Sequence, residues 1–131
     1  MSYFIIPANK CVFLKCERDL PVTEMKTVWR EVQEALAGMK QKRVLVDVTA
    51  LQTYLDTKQL FDLAKLFWQD FPESGRIALV VRWDQARFAK SLEMLVRTVG
   101  IYLTVFVSEE QAEAWILANA KDPQPVEEFA N

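Results

Sequence analysis

The stretch Arg43-Val-Leu-Val-Asp-Val-Thr-Ala-Leu-Gln-Thr-Tyr-Leu-Asp-Thr57 constrains the fold of this chain more than any other. Val44, Leu45, Val46 and Val48 form a β-branched, nearly unbroken apolar run, the pattern of a strand covered on both faces. Such a strand belongs inside a mostly parallel sheet with helices packed on it. Asp56 and Thr57 then stand where a helix needs an N-cap, because their side-chain oxygens can take up backbone N–H groups of the first turn.

The same logic runs along the rest of the chain. Tyr3 to Ile6 and Val12 to Cys16, separated by Pro7-Ala-Asn-Lys10, predict an antiparallel hairpin. Glu17-Arg-Asp-Leu-Pro21 breaks the second strand, and Thr23 is the expected cap of a first helix. Its apolar stripe is Met25, Val28, Trp29, Val32, Ala35, Leu36 and Met39, with Lys26, Arg30, Glu31 and Glu34 off the stripe and Gly38 as C-cap. A helix over residues 57–70 follows the central strand, and Pro72-Glu-Ser-Gly75 ends it. Arg76 to Val81 is another buried strand. Asp84 is the expected cap of a third helix with Phe88, Leu92, Leu95, Val96 and Val99 on its apolar face, and Gly100 stops it. Tyr102 to Val107 is the last strand. Ser108 with Gln111 makes a capping box for a fourth helix through Ala112, Trp115, Ile116 and Ala120.

The order β-β-α-β-α-β-α-β-α predicts an α/β fold: a mixed, mostly parallel five-stranded sheet with right-handed crossovers and the first strand added antiparallel at one side. At 131 residues the chain is one domain, residues 1–120, followed by an extended or loose tail over 121–131 that Pro123 and Pro125 divide. With 51% hydrophobic and 26% charged residues it has the balance of a soluble globular protein. A net charge of −2 argues against nucleic acid, since neutralising phosphates needs a basic surplus. Charge is uneven: residues 72–100 carry five bases against three acids, and residues 101–131 one base against six acids. This predicts two solvated faces of opposite sign.

Cys11 and Cys16 are five residues apart on one strand and point to opposite faces, so they cannot pair. Free thiols fit a reducing cytoplasm, the expected location. There is no histidine, which removes zinc sites of the usual kind and a base for Ser2, Ser74, Ser91, Ser108 or either cysteine. No Gly-rich loop is present to cradle phosphates. Asp47, without a partner acid, is expected to bond loop N–H groups at its strand's end. No cofactor, no metal and no enzymatic activity are expected. No targeting segment is visible, and no apolar run approaches the ~20 residues of a membrane span.

The element order, Val44-Leu-Val-Asp-Val-Thr49, Leu55-Asp-Thr57 and Val105-Phe-Val-Ser-Glu-Glu-Gln-Ala-Glu-Ala-Trp115 together resemble the STAS domain, the fold of anti-sigma-factor antagonists. The resemblance covers roughly residues 2–120. Within it the chain is most similar to the stand-alone SpoIIAA-like branch, also grouped as STAS/SEC14-like. It implies a non-enzymatic regulatory or interaction module. Antagonists of this family carry an Asp-Ser pair at the start of the helix after the central strand, and the serine is phosphorylated by the partner kinase. Here the matching pair is Asp56-Thr57, which makes Thr57 a candidate phosphoacceptor; a dianion there would be stabilised by the free N–H groups of the helix start. The family motif continues with small residues and a glycine, where this chain has Lys58-Gln59-Leu60.

The 57–70 helix also carries more apolar surface than one buried face needs: Leu60, Phe61, Leu63, Ala64, Leu66, Phe67, Trp68 and then Phe71. Phe61, Phe67, Trp68 and Phe71 are therefore candidate contact residues with Asp56, Thr57 and Lys58. The surplus would serve a protein partner, a homodimer, a membrane surface met by Lys58 and Lys65, or an apolar ligand. Two classes of function follow: a partner-binding module acting through the Asp56-Thr57 turn, and a SEC14-like carrier or peripheral binder of apolar ligands using the aromatic helix.

Overall fold

The computed structural model describes residues 3–8, 10–52, 58, 62, 65, 71 and 75–118. Five strands form one sheet in the order β1 (Tyr3–Pro7), β2 (Val12–Cys16), β3 (Arg43–Asp47), β4 (Arg76–Val80), β5 (Tyr102–Phe106). β1 pairs antiparallel with β2, and every later neighbour is parallel. The sheet is thus mixed and mostly parallel, as the element order predicts, with β3 at its centre.

Both faces of the central strands are covered. Val12, Leu14 and Cys16 of β2, Val44 and Val46 of β3, Ile77 and Leu79 of β4 and Leu103 and Val105 of β5 form one layer. Onto it pack α1 (Val22–Leu36), through Val28, Trp29, Val32 and Leu36, and α2 (Ala86–Arg97), through Ala89, Leu92 and Val96. The alternate residues Leu45, Ala78, Val80 and Phe106 point the other way and are covered by Ala112, Trp115 and Ile116 of α3 (Glu109–Leu117). The unbroken apolar runs exist because each strand must satisfy a layer on either side. Cys11 and Cys16 fall in opposite layers, both buried and both free.

Helix ends depart from the expected caps in instructive ways. Pro21, not Thr23, is the N-cap of α1, and no side chain caps it; proline at a helix start forfeits nothing, because its missing N–H would have had no partner there. At the other end Lys42 performs the task expected of Gly38: its ammonium donates to the carbonyls of Leu36, Ala37 and Met39 at 2.6, 3.2 and 2.7 Å. Ser108 accepts from the N–H of Gln111 at 3.2 Å, the expected cap of α3. After α2, Gly100 adopts φ 89°, and the bonds Ile101 N–H to Val96 O and Gly100 N–H to Arg97 O, both 3.1 Å, close a Schellman turn there.

Arg76, counted among the solvated bases, is buried, as is Glu93. Arg43 donates to Ile116 O at 3.0 Å, and Arg76 donates to Trp115 O and Ala118 O at 3.2 and 3.1 Å. The two guanidinium groups therefore close the carboxyl end of α3, where unpaired carbonyls and the helix dipole favour a cation. Glu93 accepts from Lys90 at 3.0 Å and from the Val105 N–H at 2.8 Å, tying α2 to β5. Phe88, expected on the apolar face of α2, is among the exposed large side chains. No helix among the described residues is long and apolar enough to cross a membrane.

Candidate functional site

The carboxyl ends of the parallel strands lie side by side, Lys15 opposite Asp47, Asp47 opposite Val80, and Val80 opposite Phe106. The loops that leave these ends converge, and the loop after β3 leads into Asp56-Thr57. Its course is fixed first by Asp47, whose Oδ1 accepts from the Thr49 N–H at 2.9 Å and the Thr49 hydroxyl at 2.7 Å. Asp47 is thus a turn-former at its strand's end, as expected. A bond from Leu51 N–H to Val48 O, 3.1 Å, closes the next turn.

Two side chains from the loop after β4 then clamp this segment. Gln85, buried, donates to Val48 O at 2.9 Å and Leu51 O at 3.1 Å, while its own oxygen accepts from the Arg82 N–H at 2.8 Å. Arg82 Nη1 donates to Thr49 O, and to Leu51 O at 2.9 Å. The Asp84 carboxylate grips the other edge of that guanidinium at 2.9 and 3.1 Å, so the residue expected to cap a helix aims Arg82 instead. The cap of α2 is Gln85, preceded by a short 3-10 turn over Trp83–Gln85. From the opposite side Asp19, in the loop after β2, accepts the Gln52 N–H at 2.7 Å. Three loops are therefore joined into one block.

Trp83 stands on this block, 73% exposed. An indole held on a fixed turn is a large contact surface with little side-chain entropy to lose, a property of binding hot spots. Trp83, Arg82, Gln85 and Asp19 were not among the residues the sequence pointed to. The signal for them was present in the run Arg82-Trp-Asp-Gln85, a polar cluster with one tryptophan directly after a buried strand.

Of the residues singled out from sequence, Asp56, Thr57, Phe61, Phe67 and Trp68 lie outside the described residues. Lys58, Asp62 and Lys65 are helical, in keeping with a helix over 57–70, and Lys58 pairs with Asp62 one turn on at 3.6 Å. Both partners are at the surface, where such a pair contributes little. Phe71, expected on the contact surface, is only 7% exposed and packs on Trp29 with ring centroids 5.7 Å apart. It belongs to the core.

Burial raises the Cys11 thiol above its usual range and holds Cys16 up to about 11, the Asp47 charge adding to the latter. Neither is poised as a nucleophile. Among the described residues no group of three His, Cys, Asp or Glu side chains converges as metal ligands do. The carboxylates of Asp19, Asp47 and Asp84 are all engaged in holding backbone or guanidinium, so what this region offers chemically is a shaped, rigid surface.

No family model and no curated protein matches the sequence. Among solved structures the fold matches the crystal structure of an anti-sigma factor antagonist from Mycobacterium paratuberculosis, with a TM-score of 0.60 over 88% of this chain and 93% of that one, at 16% identity. At that identity the likeness speaks for the fold, which is the SpoIIAA/STAS-like architecture expected from the order of elements.

Proposed function

We propose that this chain is a non-enzymatic regulatory module that binds a protein partner through the carboxyl-end loops, with the Asp56-Thr57 turn and Trp83 at the centre of the contact. The observation that carries this reading is the clamp on residues 48–52: Arg82, Gln85, Asp47 and Asp19 all spend their polar groups on holding one loop still. A loop whose carbonyls are bonded by Arg82 and Gln85 of the loop after β4, and whose Gln52 N–H is held by Asp19 of the loop after β2, has little ordering entropy left to lose on binding. That the fold is shared with an anti-sigma factor antagonist adds support. Thr57 is the hydroxyl at which phosphate would alter such a contact, adding about two negative charges at a helix start.

Affinity capture tests the reading, with the full-length chain as bait in extracts of its own cells and mass spectrometry of what is retained. A protein held by the wild type, lost from Trp83→Ala and changed in yield by Thr57→Glu is the expected result. Equal capture by all three baits would refute it. The carrier reading draws on Phe61, Phe67 and Trp68, outside the described residues, and loses Phe71 to the core.

A further inference from the structure

We propose that the carboxyl-terminal segment, residues 119–131, docks on the open face of the β1–β2 hairpin in the same molecule. The pairs Phe4 with Lys15 and Ile6 with Phe13 place these four side chains on the side of the sheet that α3 covers elsewhere. The cluster under α3 takes in buried Cys11 and half-buried Phe13 at the near side of the hairpin, with Leu45, Ala78, Val80 and Phe106, but neither Phe4 nor Ile6 of β1. Phe4 remains 45% and Ile6 56% exposed, side by side on an edge strand. A paired phenylalanine and isoleucine facing water next to an open sheet edge is a surface that soluble proteins usually cover.

The position where α3 ends selects the occupant. Arg76 holds the carbonyl of Ala118 at 3.1 Å, over the start of β4. Arg76 is level with Arg43, Val44 with Val12, and Val12 with Pro7, so the chain leaves α3 at the height of the hairpin's closed end. From β4 to β1 is three strand spacings, about 14 Å. The thirteen residues after Ala118 can span roughly 40 Å. Pro123, Val126 and Phe129 recur at every third residue, the period of a polyproline II helix, which would set them on one ridge. Glu127 and Glu128 lie between them, and the hairpin offers exposed Lys15 on the same face and exposed Lys10 in its turn. Tethering adds an effective concentration on the order of millimolar, which favours this segment over a second copy of the chain.

The test uses the full chain with Ala130→Cys carrying a nitroxide, Cys11 and Cys16 being buried. Amide resonances of Phe4, Ile6 and Phe13 should broaden in the labelled molecule. They should stay sharp when isotope-labelled wild type is mixed with spin-labelled protein of natural isotopic abundance. The broadening should fall several-fold in the Val126→Ser/Phe129→Ser variant. Sharp hairpin resonances in the labelled molecule would overturn the proposal. So would broadening confined to the mixed sample, which would assign the face to a second copy.

Discussion

Cys16 lies buried in the layer that α1 and α2 cover, where desolvation and the nearby Asp47 charge hold its thiol up to about 11. Unfolded, the same thiol ionises near its ordinary 9.0. Between these values the unfolded chain releases a proton that the folded chain retains, so the contribution is whole below the window and is lost as pH rises through it. The loss is on the order of 3 kcal/mol at most. Urea unfolding of Cys16→Ala should show a lower baseline from lost packing and a flatter alkaline limb than wild type. An unchanged slope across the window would contradict the buried thiol. Asp47 and Asp84 make a contrast. Asp47 bonds its own loop, a partnership two residues long and visible in sequence. Asp84 serves Arg82, whose targets Thr49 and Leu51 lie over thirty residues earlier, beyond the reach of any local pattern.

At the scale of elements, α3 is only nine residues long, too short to be stable by propensity, and is held at both ends. Ser108 at its start was legible because a capping oxygen and the N–H it serves are three residues apart. Arg43 and Arg76 at its end were not, because their partners are 73 and 39 or 42 residues away. Burial and the charge of Arg43 lower the pKa of Arg76, a sign that this guanidinium works out of water. Arg76 also lies 5.7 Å over the Trp115 ring. Removing it takes the guanidinium donor away from the Trp115 and Ala118 carbonyls. Arg76→Met should therefore cost about 2–3 kcal/mol in denaturant unfolding, against about 1 kcal/mol for Ser108→Ala. Near-equal losses would mean that the arginine pair does not hold the helix.

For the molecule as a whole, periodicity foretold the mixed sheet, since runs such as Val44-Leu45-Val46 fit a strand covered on both faces, while strand order and the placing of helices on one face or both were not legible. The division of labour on the α1 and α2 side was less visible. Aromatic crowding after residue 60 reads as surplus surface, yet Phe71 fills the core. Gly75 makes room for it: a Cβ there would lie 2.2 Å from the Phe71 ring and 2.9 Å from Lys42 O. Phe71→Ala should cost about 3–5 kcal/mol of unfolding free energy by opening a cavity beside Trp29. A change near zero would return Phe71 to the surface.

Because strand order follows chain order without a single exchange, a ribosome releasing this protein could let each new strand zip onto the one before it, with no place held open for a late arrival. The exception is α3. Leu45, Ala78, Val80 and Phe106 wait uncovered until α3 follows the fifth strand out, which makes the nascent molecule most in need of a chaperone in the interval between the two.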